Sequence, residues 1–214
     1  MTATTVPRIG VLAIQGDYEA HATALREAGA EPFLVKTPES LQDASGQPLD
    51  GMILPGGEST TMLKFLLRDG FLEKLKLFAQ QKPVYGTCAG AILLAKEVRN
   101  PSQESLGILD IAVERNAYGA QRDSAILHLA TNLPAWQAAG PLETVFIRAP
   151  RIVATGPEIE VLVERDGFPV LIRQRGVDAK TMAATFHPEL SSDRRVHQLF
   201  VDLVHAQRLA AASN

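Results

Sequence analysis

Apolar residues come in short solid runs early in the chain, and the stretches between them carry a helical period. Residues 9–14 are apolar throughout, which suits a strand buried on both faces, as in a parallel sheet. Gln15-Gly16-Asp17 then turns the chain. Asp17 is a suitable N-cap for a helix over 18–28, and Gly29 a suitable residue just past its end. Ala20, Ala24, Leu25 and Ala28 line one side of that helix, while Glu19, Arg26 and Glu27 are polar. A second short strand over 32–35 makes the opening β-α-β, with a right-handed crossover expected. A third buried strand is predicted over 52–54, followed by a helical pattern through Met62, Leu63, Leu66 and Leu67. A helix over 71–81 leads to an apolar strand at 83–85 and to a helix starting within the Ala/Leu/Ile run 89–95.

Beyond Lys96 the texture changes. After a polar loop at 100–105, strand-like runs stand at 108–113, 144–147, 151–153, 161–164, 170–172 and 182–186. Turn signals such as Gly156-Pro157 and Asp166-Gly167 separate them. Their close spacing predicts antiparallel strands that extend one edge of the sheet. The last helix is expected over about 194–209, with 210–214 as a frayed tail. The chain shows no repeat, no low-complexity segment and no linker long enough to divide it. The expected architecture is one α/β domain over residues 1–214. It is a three-layer sandwich with a central, mostly parallel sheet and antiparallel strands on one edge.

The chain's 214 residues can bury a substantial core without staples. Net charge is −3 with no basic run, which argues against nucleic acid or an anionic membrane as the main partner. The one cysteine, Cys88, leaves no internal disulfide and no multi-Cys zinc site, and fits a reducing compartment. Residues 1–8 are Thr-rich and lack the apolar core of a signal peptide. No apolar stretch approaches membrane-spanning length. A cytoplasmic location is expected.

The candidate chemistry centres on Gly86-Thr87-Cys88-Ala89-Gly90, between an apolar strand and a helix. This is the strand–turn–helix elbow G-x-S-x-G with Cys in place of Ser. The flanking glycines let backbone pass close to backbone where the turn is tightest. The Cys stands at a helix N-terminus, whose partial positive charge favours an anion. The alternative is a small buried Cys between glycines. A second loop, Pro55-Gly56-Gly57-Glu58-Ser59-Thr60-Thr61, follows a strand and precedes a helix. It is not a phosphate-binding loop, because the required Lys is missing. It reads either as a presenter of backbone N–H groups or as a tight turn before a capped helix.

A cysteine nucleophile needs a base, and the base an orienting group. Of the five histidines, His21, His197 and His205 fall in predicted helices among charged neighbours and are expected to be solvated. His128 has no evident acid partner. His187 ends the buried run 182–186, which is where open α/β sheets place their sites. Glu189 follows two residues on, and in an extended segment residues two apart share a side. Cys88, His187 and Glu189 therefore read as a candidate triad. A catalytic zinc held by the same three residues is the rival, without a nameable supporting shell.

With these residues in view, Gly86-Thr87-Cys88-Ala89-Gly90 and His187-Pro188-Glu189 resemble the class I glutamine amidotransferases. The closer resemblance is to the glutaminase subunits of pyridoxal 5′-phosphate synthase. It rests on four stretches: residues 54–62, 113–119, Phe146-Ile147-Arg148-Ala149-Pro150 and Phe186-His187-Pro188-Glu189-Leu190. The resemblance implies an α/β sandwich with a Cys-His-Glu triad that hydrolyses L-glutamine to L-glutamate and ammonia. Cys88 would attack the side-chain amide, His187 would move the proton and Glu189 would orient His187. The resemblance also implies an oxyanion hole from the backbone N–H groups of Gly57 and Ala89, and glutamine held by Gly57, Glu58, Ser59, Arg115, Ile147 and Arg148. The arginines suit a substrate carrying an α-carboxylate. One departure is Ala120, where relatives often carry a basic residue. The connection 42–49 is somewhat long and reads as a tolerated surface insertion.

No metal and no cofactor is expected. The chain has parts for making ammonia and no phosphate-binding Lys loop or Schiff-base Lys for using it. The resemblance therefore implies a partner, the synthase subunit, in a hetero-oligomeric complex. Two other classes stay open at this point: a different Cys hydrolase on the same sandwich, acting on peptides or glycated substrates, and a non-catalytic binding subunit that keeps the fold.

Overall fold

The computed structural model describes residues 6–115, 124–176 and 179–212. The chain opens with β1 (Arg8–Leu12), α1 (Tyr18–Glu27), β2 (Glu31–Val35) and β3 (Gly51–Leu54). Then come α2 (Ser59–Leu66), α3 (Phe71–Gln81), β4 (Val84–Thr87) and α4 (Ala89–Leu94). The second half contains β5 (Ala95–Arg99), β6 (Leu109–Glu114), β7 (Ala125–Leu129) and a single-turn α5 (Pro134–Gln137). It continues with β8 (Leu142–Phe146), β9 (Arg151–Thr155), β10 (Ile159–Arg165), β11 (Phe168–Gln174), β12 (Thr181–Ala184) and α6 (Arg195–Ala212).

Seven strands form the main sheet in the order β10-β11-β12-β4-β3-β1-β2. The pairs β2/β1, β1/β3, β3/β4 and β4/β12 are parallel, while β11 and β10 continue the edge antiparallel. The solid apolar runs follow from burial on both faces. Within β1 and β3, Leu12, Met52 and Leu54 point into a core with α2, α3 and α4. Ile9, Val11 and Ile53 point the other way, into a core with α1 and α6. Alternate residues of one strand thus feed two helical layers, which gives the three-layer sandwich.

The expected edge extension holds for β10 and β11 but not for the other strands of the second half. β5, β6 and β9 make a separate three-stranded sheet, and β7 pairs only with β8 in a two-stranded one. Strand spacing reveals that strands exist, not which ladder they join. Two further elements differ from expectation. α4 stops at Leu94, and Ala95 leaves the helix to begin β5. α6 runs helical through Ala212 rather than fraying at 210. The 42–49 connection is pinned: Asp43 pairs with Arg8 and accepts the backbone N–H of Ser45 and Gln47, and Leu49 is buried. No helix among the described residues is long and apolar enough to cross a membrane.

Candidate active site

The chain just beyond β1, β3, β4 and β12 lines one cleft of about 340 Å³. Gln15, Gly16 and Asp17 follow β1, Gly56 to Ser59 follow β3, Cys88 follows β4 and His187 follows β12. Arg115, Ile147 and Arg148 complete the lining together with Ile92 and Pro150. A cleft outside the carboxyl ends of parallel strands is where α/β sheets bind their ligands. Of the sequence-derived candidates, Glu189 and Ala89 do not line it. Glu189 stands behind His187, and Ala89 is the buried first residue of α4.

Cys88 occupies the sharp corner between β4 and α4, with φ 48° and ψ −104°. That conformation is strained for an L-residue, at roughly 1–3 kcal/mol, and the surroundings must enforce it. The two glycines of the elbow show how. A Cβ on Gly90 would sit 1.9 Å from the carbonyl oxygen of Leu54, and one on Gly86 would sit 2.5 Å from the Gly90 carbonyl carbon. α4 therefore packs backbone to backbone on β3 and β4, and the Cys88 N–H donates to the Ala184 carbonyl at 2.8 Å. The side chain is nearly buried but reaches the cleft.

His187 and Glu189 meet across a 3-10 turn, Pro188–Leu190, and not along an extended segment. Nδ1 of His187 lies 2.7 Å from Oε1 of Glu189, which fixes Nδ1–H as the donor and leaves Nε2 as the nitrogen that can exchange a proton. Nε2 makes no formed hydrogen bond here. The ring is clamped from outside by the Gly56 backbone, since a Cβ on Gly56 would lie 2.4 Å from His187 Cε1 and 3.3 Å from Cys88 Cβ. Burial lowers the pKa of His187, but Cys88 and Glu189 together outweigh it and raise it to about 10. Glu189 is buried, which raises its pKa, yet His21 and His187 bring it below the usual carboxylate range.

His21 and His197 are not solvated. Both are fully buried, His21 against Glu189 and His197 against His21. Nε2 of His21 lies 3.3 Å from Glu189 Oε2, and its Nδ1 lies 3.0 Å from His197 Nε2. The charged neighbours in sequence face away. The readable signal was spacing: His21 shares the stripe of Ala24, Leu25 and Ala28, and His197 that of Phe200, Val201 and Val204. His128 is exposed on β7, 3.7 Å from Glu143.

The far side of the cleft is organised by Glu58, which caps α2. Its carboxylate accepts the backbone N–H of Thr60 at 2.9 Å and of Thr61 at 2.7 Å. Its partial burial opposes the shift, but the Thr61 hydroxyl, which donates at 2.7 Å, and these backbone bonds carry its pKa down to about 2. Ser59, expected before the helix, is its first residue, and its hydroxyl donates to Gln103 Oε1 at 3.1 Å. Arg115 is held by Thr60 Oγ1 at 2.7 Å and Glu58 Oε1 at 3.4 Å. Arg148 adopts φ 45°, a left-handed conformation uncommon for a side-chain-bearing residue. Gln15, which sequence reasoning took for part of a turn, accepts the Glu58 N–H at 3.4 Å. Its position just past β1 was the available signal. Ala120 and residues 116–119 of the second resemblance stretch lie outside the described residues. Among the described residues no three His, Cys, Asp or Glu side chains stand so as to hold a metal ion.

A sheet of this topology matches the fold of the glutamine amidotransferases. The chain superposes on a crystal structure described as a glutamine amidotransferase with a TM-score of 0.79 at 40% identity, covering 92% of this chain and 98% of that one. The structure of PurLQS from Thermotoga maritima shares the fold at a TM-score of 0.64 and 16% identity, covering 97% of this chain and 100% of that one. Within that class, the chain belongs to the SNO glutamine amidotransferase family, whose model matches residues 11–206. Its relatives include the pyridoxal 5′-phosphate synthase subunit PdxT of Koribacter versatilis, 52% identical over 92% of this chain and 95% of that protein. The PdxT subunit of Solibacter usitatus is 49% identical over 91% of this chain and 97% of that protein.

Proposed function

We propose that this chain hydrolyses L-glutamine to L-glutamate and ammonia through a Cys88-His187-Glu189 triad, and that it supplies the ammonia to a pyridoxal 5′-phosphate synthase subunit. The observation that carries the reading is the 2.7 Å bond between His187 Nδ1 and Glu189, with Cys88 and His187 both opening on one cleft. The partner follows from the two PdxT relatives, each a subunit of that synthase.

The reaction runs on this chain's own groups and water. The Cys88 sulfur attacks the side-chain amide carbon while His187 Nε2 holds its proton. The oxygen of the tetrahedral intermediate takes up negative charge, which the backbone N–H groups of Gly57 and Ala89 stabilise. His187 then protonates the departing nitrogen, ammonia leaves and a thioester remains. Water attacks that thioester, giving its proton to His187, and glutamate is released with the thiol restored. Glu189 holds the ring so that Nδ1 keeps its proton and Nε2 exchanges one with substrate. Arg115, positioned by Glu58 and Thr60, and Arg148 pair with the α-carboxylate, while Gly57, Ser59 and Ile147 shape the site around the side chain.

Ammonia release from glutamine, measured with and without the synthase subunit, tests the reading. Release by the complex supports it. No release under either condition, or turnover of a peptide or glycated substrate instead, overturns it.

A further inference from the structure

Behind the cleft, the line of polar groups continues past Glu189. Its carboxylate is fully buried, and only Oε1 is hydrogen-bonded. Oε2 faces His21 Nε2 at 3.3 Å, and that same nitrogen lies 3.1 Å from the hydroxyl of Thr87, the residue before the nucleophile. His21 comes from α1, Thr87 from β4 and His197 from α6, so three elements converge on the His21 ring. None of these three side chains lines the cleft.

We propose that His21, backed by His197, is a positioning residue that fixes the Glu189 carboxylate and so the His187 ring. The proton arrangement follows by elimination. One proton lies between His21 Nδ1 and His197 Nε2, 3.0 Å apart. If His21 held it, the lone pair of His21 Nε2 would face an anionic oxygen at 3.3 Å. With the proton on His197, His21 Nε2 carries an N–H that faces both the Thr87 hydroxyl and the Glu189 anion. His197 Nδ1 then keeps a bare lone pair. That nitrogen is buried without a hydrogen-bond partner, and an orphaned acceptor is tolerated better than an orphaned N–H. Burial holds both rings below the ordinary histidine range, outweighing the pull of Glu189 on His21, so both act as neutral dipoles.

The proposal rests on the glutaminase reading, and the test uses the complex with the synthase subunit. His21→Leu is expected to lower kcat roughly tenfold to hundredfold, the effect of a hydrogen bond to a buried charge. KM for glutamine should stay within about twofold, since His21 does not touch the cleft. In a Glu189→Gln background the same substitution should cost almost nothing, because the group it positions is already neutral. Two polar variants decide the matter even where Leu is not tolerated. His21→Gln places an amide N–H near the Nε2 position and should keep most turnover, whereas His21→Asn reaches only the Nδ1 position and should lose it. Wild-type kcat in His21→Leu, equal losses in both backgrounds, or equal rates for Gln and Asn would each overturn the proposal. If the wild-type complex releases no ammonia, the glutaminase reading itself has failed and this proposal falls with it.

Discussion

Cys88 is the sole thiol of the chain, held in a left-handed corner that only its packed surroundings maintain. A glutamine-mimicking electrophile should therefore label one residue per chain and stop turnover, read by intact mass. Labelling that survives Cys88→Ala would sink the assignment. The three residues of the proposed triad are expected to differ in what their loss costs. Cys88→Ala and His187→Asn each remove a chemical step and should lower kcat by roughly 10⁶-fold, whereas Glu189→Gln should lose about a hundredfold less. The smaller loss reflects a ring that still visits the right tautomer and stays wedged under Gly56. Wild-type rates for Glu189→Ala would show that another acid orients His187. Single residues were legible where a motif confines them, as with Cys88 in its elbow. His21 and His197 were misread because their sequence neighbours are charged, whereas burial follows the helical stripe and not the next residue along the chain.

The active-site elements carry their own predictions. Glu58 satisfies the orphan N–H groups of α2, and replacing such a cap costs about 1 kcal/mol. Glu58→Ala should therefore lower the urea midpoint at neutral pH. Its pKa falls from 4.5 in the unfolded chain to about 2 in the folded one, so its stabilisation is full above about 4.5 and drains as pH falls toward 2. The wild-type advantage should narrow over that window, and a gap independent of pH would mean that the ionised cap contributes nothing. Gly56→Ala places a methyl 2.4 Å from the His187 ring. Displacing that ring by even about 1 Å should cost on the order of a hundredfold in kcat. An unchanged kcat would show that the Gly56 backbone does not hold the ring. Element by element, α3 was legible to the residue at 71–81, because an uninterrupted amphipathic period has one solution. β5 was hidden because Ala95 continues the apolar run of α4, and composition does not mark where a helix yields to a strand. The separate β5-β6-β9 sheet was invisible because ladder partners are set by tertiary packing.

At the scale of the whole molecule, two helical layers cover both faces of the sheet and leave its carboxyl edge as the place where the glutaminase chemistry gathers. Ammonia released from that edge into water becomes ammonium, a poor nucleophile, and a glutaminase working alone would waste glutamine. Both problems disappear if hydrolysis waits for the synthase subunit. The loop that would supply one oxyanion donor has the means to wait. Gly56 and Gly57 are adjacent, Gly57 sits at φ 147°, and rotation of a single peptide turns an N–H into or out of the cleft. The expectation is a chain nearly silent by itself that gains the donor on docking. Adding the synthase subunit should raise glutamine turnover by on the order of the tenfold to thousandfold effect of one oxyanion-hole donor. Replacing Gly57 by Ala strains that conformation and should blunt the activation while Cys88 labelling persists. Equal ammonia release by the isolated chain and by the complex would refute the coupling, since an oxyanion hole already formed leaves the partner nothing to switch.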